Sequence, residues 1–140
     1  VPAPTRLFLI RHALVEPSAR AMLYGAMDVA LCDTALREEA ALHRWLAHRL
    51  PRPAHWGVSG LSRTRATAAA IFAAGYPETG LAEEPDLAEQ DLGEWQGIPH
   101  EALTERLRHA PHPFWPHGAE EKPPGGESFD EVRVRVGPVI

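Results

Sequence analysis

The chain is short of cysteine, of positive charge and of long apolar runs, and each shortage removes a class of function. Cys32 is the single cysteine among 140 residues, so no intrachain disulfide and no cysteine-built metal site can form. That usage suits a reducing cytoplasm, the compartment expected for it. Nineteen acidic residues against 14 Lys and Arg give a net charge of −5. Such a balance argues against a general partner of nucleic acid or of an anionic membrane. A few well-placed arginines can still build a local pocket for a small anion. The apolar run at residues 7–10 is too short for a signal peptide or a membrane span, and no other segment comes closer.

What remains is ordinary in composition, with 44% apolar and 24% charged residues, as in soluble globular domains. A chain of this length forms one domain, here residues 1–140, and buries about two-thirds of its unfolded surface. It stops on the apolar pair Val139-Ile140, which reads as a domain whose C-terminal part is missing from the record. The sequence leaves the oligomeric state open, a dimer included.

Residues 7–10, Leu-Phe-Leu-Ile, predict a strand buried on both faces of a sheet. Residues 13–33 lack a period and read as a long loop. A helix is expected over residues 34–50, capped by Asp33 or Thr34, with Leu42, Trp45, Leu46 and Leu50 as its apolar stripe and Pro51 beyond its end. Residues 55–59 read as a second strand with Trp56 and Val58 on one face. The Ala-rich run over residues 62–74 is a helix ended by Gly75, and residues 81–83 a third strand. Residues 99–109 read as a helix with proline in its first turn. Five prolines between 111 and 124 predict an irregular loop that packs Phe114 and Trp115 against the body. Ser128 and Glu131 form a capping box opening a last helix, along which Phe129, Val132, Val136 and Ile140 recur at helical spacing. Alternation over residues 132–136 leaves a strand as the other reading there, and Pro138 would kink a helix. Strand, helix, strand, helix in order predicts an α/β fold with a central sheet. Ligands of such sheets bind beyond the carboxyl ends of the strands, where Arg11-His12 and residues 59–63 both lie.

Four segments could carry chemistry. His12 follows the first strand beside Arg11, and its imidazole there is a nucleophile, a base, a metal ligand or a structural hydrogen-bond donor. Ser59-Gly60-Leu61-Ser62-Arg63 enters a helix whose free N–H groups attract anions. Arg63 offers phosphate a planar two-pronged donor; the competing reading is a surface helix with solvated arginines. Residues 87–97 read as a compact loop with glycines at 93 and 97, in which Glu89 is the candidate proton donor, or else a solvated carboxylate. Pro124-Gly125-Gly126-Glu127-Ser128 is a turn and helix cap, with a lesser claim on substrate.

Taken together, Arg11-His12, Ser59-x-Leu61-x-Arg63, Glu89-x-x-x-Gly93-x-Trp95-x-Gly97 and Gly125-Gly126-Glu127-Ser128 resemble, in order, the motifs of the histidine phosphatase superfamily, also called phosphoglycerate-mutase-like. The resemblance runs from Arg6 to Val136. It implies a three-layer α/β/α fold with a central, mostly parallel sheet. It also implies that His12 attacks phosphorus as a neutral imidazole, that Arg11 and Arg63 hold the equatorial oxygens, and that Glu89 protonates the leaving oxygen. For that task the carboxyl is expected to be buried beside Leu92 and Trp95. No metal or other cofactor is implied. Tyr24-Gly25-x-x-Asp28-Val29-x-Leu31 is most similar to the alpha-ribazole phosphatase branch, and Tyr24, Gly25 and Ser128 become candidates for the substrate pocket.

Two features depart from the family pattern. Ala13 stands where a glycine usually follows the catalytic histidine. The second pocket histidine belongs on a strand after the last helix, beyond Ile140, and none of His100, His109, His112 or His117 sits in its context. The expected function is hydrolysis of a small phosphomonoester. A mutase, or a non-catalytic phosphate-binding module, are the alternatives.

Overall fold

The computed structural model describes residues 3–140. Its sheet consists of two strands, β1 (Trp56–Val58) and β2 (Leu81–Glu83), paired in parallel with Trp56 opposite Leu81 and Val58 opposite Glu83. Parallel neighbours need a crossover, and helix α4 (Ser62–Ala73) supplies it. The alanine run makes α4 a good helix former. Gly75 follows with φ +120°, a left-handed conformation that favours glycine. The α/β reading of this half of the chain therefore holds, with the sheet restricted to two strands among the described residues.

Helix α1 (Pro17–Arg20) is a single turn inside the long loop, which an isolated bridge between Val15 and Leu31 closes. The helix expected over residues 34–50 is two helices, α2 (Asp33–Glu38) and α3 (Ala40–Arg49). They part at Glu39, whose ψ of 7° leaves the helical range. Neither expected cap forms. Cys32 precedes α2 without a side-chain bond, and Thr34 Oγ1 instead accepts from Arg37 at 3.3 Å. The buried face of α3 also differs from the expected stripe. His43, Ala47 and Leu50 are buried, whereas Leu42 and Trp45 are exposed. The small Ala47 lets α3 approach α4 closely, so the helix turns that side inward. Ala47, Leu50, Ile71 and Tyr76 form the resulting core, joined by Trp56 and Phe72. Tyr76 donates its hydroxyl to Pro51 O at 2.7 Å, and Trp56 meets Phe72 and Tyr76 edge-on.

Three further expectations are corrected. Residues 7–10 form no strand and are exposed, Leu9 at 86%. They line a cleft of about 1110 Å³ that also borders β1. No ladder joins them to β1, which pairs only with β2 among the described residues. Residues 99–109 hold two 3-10 turns, His100–Ala102 and Thr104–Arg106, in place of an α-helix. Leu107 is extended, and the amides of Arg108 and His109 both donate to the Glu121 carboxylate at 2.9 Å, which draws the chain out of helix. Phe114 and Trp115 do not pack on the body, being 88% and 64% exposed. Their own amides both donate to His112 Nδ1 at 3.1 Å, a tight turn that leaves the two side chains outside.

Helix α5 (Phe129–Val136) opens on the expected capping box. Ser128 accepts from Glu131 N and Glu131 accepts from Ser128 N. Phe129, Val132 and Val136 are half-buried on one side, while Ile140 is exposed. At Pro138 the helix gives way to a 3-10 turn, Gly137–Val139.

Candidate active site

His12 is half-buried, and its Nδ1 lies 2.7 Å from Ala13 O. A carbonyl only accepts, so Nδ1 carries the proton and Nε2 keeps its lone pair. The His12 pKa lies below the ordinary 6.5. Burial is the main cause, and the positive charges of Arg63 and Arg11 add to it, against the Ala13 carbonyl and Glu89, which act in the opposite direction. The charges of Arg63, Arg11 and Glu89 thus each reach His12. A neutral imidazole with a free Nε2 is the state a nucleophile requires.

Ala13 needs none of a glycine's freedom, because no non-glycine residue among those described has a positive φ. Its buried N–H donates to Thr67 Oγ1 at 3.0 Å, and Thr67 in turn donates to Arg63 O at 2.8 Å. The backbone beside His12 is thereby fixed to the helix that carries Arg63.

Arg63 is 1% exposed. One terminal nitrogen donates to Met27 O at 2.6 Å, the other to Gly25 O at 2.8 Å, and the guanidinium lies 5.2 Å from the Tyr24 ring centroid. Its Nε–H is buried without a protein partner. An unpaired buried donor on a cation is costly, and this one is closed off from solvent, so an anionic oxygen reaches Arg63 only if its guanidinium moves. The solvated-arginine reading is thus excluded for Arg63, while Arg11 is exposed on the wall of the cleft beside His12. Asp28 completes the junction by accepting from Ser62 N and Oγ at 2.8 and 2.7 Å. These two bonds, that of the Ser62 hydroxyl first and that of its amide second, hold the Asp28 carboxyl below the usual range.

Gly25 is buried with φ +44°, and a Cβ there would stand 2.6 Å from Gln90 O. Loop 24–28 consequently lies directly against the loop that carries Glu89. Glu89 itself is exposed, so the expected burial beside Leu92 and Trp95 is not found. Those two side chains belong to a separate core with Leu103. The Glu89 carboxylate accepts from Gln90 N at 3.0 Å. Ser128, named for the pocket, is buried and spends its hydroxyl on the α5 cap.

Sequence reasoning missed Thr67 and Asp28 as supports of this site. Their bonds join residues 34 to 54 positions apart and leave no local pattern. The histidines after residue 99 are occupied elsewhere. His100 lies 3.0 Å from Arg20 O, and buried His117 stacks on Phe129 with centroids 4.3 Å apart. No group of three or more His, Cys, Asp or Glu side chains converges as a metal ion would need, among the described residues. No helix of the described residues is long and apolar enough to cross a membrane.

The family model described as the histidine phosphatase superfamily (branch 1) matches residues 7–140. The bifunctional protein Rv2228c of Mycobacterium tuberculosis is 32% identical over 136 residues, which are 95% of this chain and 35% of that protein. A 2,3-bisphosphoglycerate-dependent phosphoglycerate mutase of Chelativorans sp. is 28% identical over 94% of this chain and 65% of its own length. The glucosyl-3-phosphoglycerate phosphatase of Mycolicibacterium vanbaalenii is 32% identical over 96% of this chain and 58% of its own. This chain thus spans between about a third and two-thirds of these relatives. Among solved structures, TTHB049 from Thermus thermophilus superposes with a TM-score of 0.64 at 30% identity, over 93% of this chain and 68% of that one.

Proposed function

The chain belongs to the histidine phosphatase superfamily (branch 1), and we propose that its protein hydrolyses a small phosphomonoester through His12. The observation that carries this reading is the His12 ring. Its Nδ1–H is bound to Ala13 O, and its free Nε2 shares a charge environment with Arg63, Arg11 and Glu89.

In the first step Nε2 attacks phosphorus in line and forms a P–N bond as the ester P–O bond breaks. Glu89 gives its proton to the departing alkoxide. Arg11 and Arg63 hold the equatorial oxygens, whose charge must be stabilised throughout; for this the Arg63 guanidinium turns from the Met27 and Gly25 carbonyls towards the cleft. In the second step water attacks the phosphohistidine, Glu89 takes a proton from it, and inorganic phosphate leaves with His12 restored. The lone, half-buried thiol of Cys32 suits a reducing compartment, and the reading puts the reaction in the cytoplasm.

The mutase relative supports a second reading, in which the phosphoryl group returns to substrate. Incubation of the full-length protein with alpha-ribazole 5'-phosphate, 3-phosphoglycerate and glucosyl-3-phosphoglycerate separates the two. Accumulating free phosphate supports hydrolysis, and an isomerised product supports the mutase. Absence of both products leaves the non-catalytic module. The similarity of residues 24–31 to one branch favours alpha-ribazole 5'-phosphate within this panel.

A further inference from the structure

Glu89 is exposed, and its carboxylate holds only the amide of its own neighbour Gln90. Its side chain therefore does not set its own position. The backbone on both sides of it is held by one ion pair from distant parts of the chain. Arg135, on α5, donates from Nε and Nη2 to the two oxygens of Glu127, each at 2.8 Å. The same guanidinium donates to Asp86 O at 2.6 Å and to Ala88 O at 3.2 Å. Glu127 Oε2 accepts from Asp91 N at 3.0 Å. The Glu127 backbone completes the join, its carbonyl accepting from Gln90 Nε2 at 2.6 Å and its N–H donating to Asp91 O at 2.8 Å.

Both partners are about three-quarters buried, with side-chain exposures of 21% for Arg135 and 24% for Glu127. A bidentate, partly desolvated pair of this kind is stronger and more directional than a surface ion pair. Arg135 is also close enough to Glu89 to feel its charge.

We propose that Glu127 and Arg135 are positioning residues for the proton donor: their ion pair holds residues 86–91 so that Glu89 meets the leaving oxygen. The inference rests on the reading of Glu89 as the acid of a phosphomonoesterase. Neither Glu127 nor Arg135 shares a hydrogen bond with His12, and neither borders the cleft beside it. Their loss should impair leaving-group protonation and spare the attack on phosphorus.

That distinction is measurable in the full-length protein with two substrates. Glycerol 2-phosphate releases an alkoxide that must be protonated, whereas p-nitrophenyl phosphate releases an anion that departs unaided. In Glu127→Gln and Arg135→Gln, kcat/KM on glycerol 2-phosphate should fall tenfold or more relative to kcat/KM on p-nitrophenyl phosphate, a quantity that ends at departure of the leaving group and omits the shared hydrolysis of phosphohistidine. Arg135→Lys keeps the charge without the fork and should fall between wild type and Arg135→Gln. Glu89→Gln should show the same selectivity more strongly, and adding Glu127→Gln to it should cost nothing further on glycerol 2-phosphate, as for residues acting through one group.

If Glu89→Gln is selective while the Glu127 and Arg135 variants lose both substrates in equal proportion, the pair is merely structural and the inference fails. If Glu89→Gln itself shows no selectivity, the assignment of the acid fails, and the inference with it.

Discussion

The N–H of Ala13 donates to Thr67 Oγ1 at 3.0 Å, across 54 residues of chain. It is the bond that ties the backbone of His12 to the helix bearing Arg63. Replacing Thr67 with valine keeps the shape and leaves a buried amide unpaired. That should cost about 1–3 kcal/mol in urea unfolding, while Thr67→Ser should retain most of the stability. Equal stability of the valine and serine variants would show that the bond is not formed.

The lowered His12 pKa has a definite sign. A histidine held below its unfolded value favours the native state when neutral. Its stabilising contribution is complete above pH 6.5, the ordinary value, and is lost as pH falls through the folded pKa. Its imidazole resonances should therefore titrate with a midpoint below 6.5 in an NMR pH series. Arg63→Met should move that midpoint upward, since a positive neighbour is removed. A wild-type midpoint at or above 6.5 would contradict the charge environment described.

Arg63→Lys tests the guanidinium itself. A lysine cannot reach Met27 O and Gly25 O and still present an N–H to phosphate. Loss of one preorganised donor of this kind typically lowers kcat by about 10²–10³. Steady-state kinetics on p-nitrophenyl phosphate checks it, and a decrease of less than about tenfold would argue against a phosphate role for Arg63.

Gly93 and Gly97 separate backbone strain from close approach. Both have positive φ, +48° and +86°. A Cβ on Gly93 would stand 2.5 Å from Gly126 N, while one on Gly97 meets nothing within 4 Å. Gly97→Ala should cost only the left-handed penalty, roughly 1–2 kcal/mol. Gly93→Ala should cost clearly more, because it pushes the turn at 124–126 away from the acid loop. Equal unfolding free energies would mean the two loops are not in contact.

Local signals were the legible part of this protein. The alanine run and Gly75 delimit α4, and the Ser128–Glu131 box opens α5, because both depend on neighbours in sequence. His12, Arg11, Arg63 and Glu89 could be matched by order along the chain, and the charges of the last three act on His12. Burial was harder to read. Leu42 and Trp45 looked like a core stripe, yet Ala47 sets the inward face of α3. Phe114 and Trp115 looked like anchors, but His112 turns their chain outward. The 3-10 turns after Pro99 end where Glu121, more than ten residues on, captures two amides. For α3 and the 3-10 turns a contact between remote residues outweighed the local preference, whereas at Phe114 and Trp115 a tight local turn did so.

The central claim is a covalent bond between phosphorus and His12. The full-length protein is mixed with a ³²P-labelled phosphomonoester, quenched in alkali to preserve phosphohistidine, and mapped by mass spectrometry. The account predicts acid-labile phosphate on the peptide containing His12, absent in His12→Ala. A His12→Ala protein with unchanged turnover and labelling would contradict it.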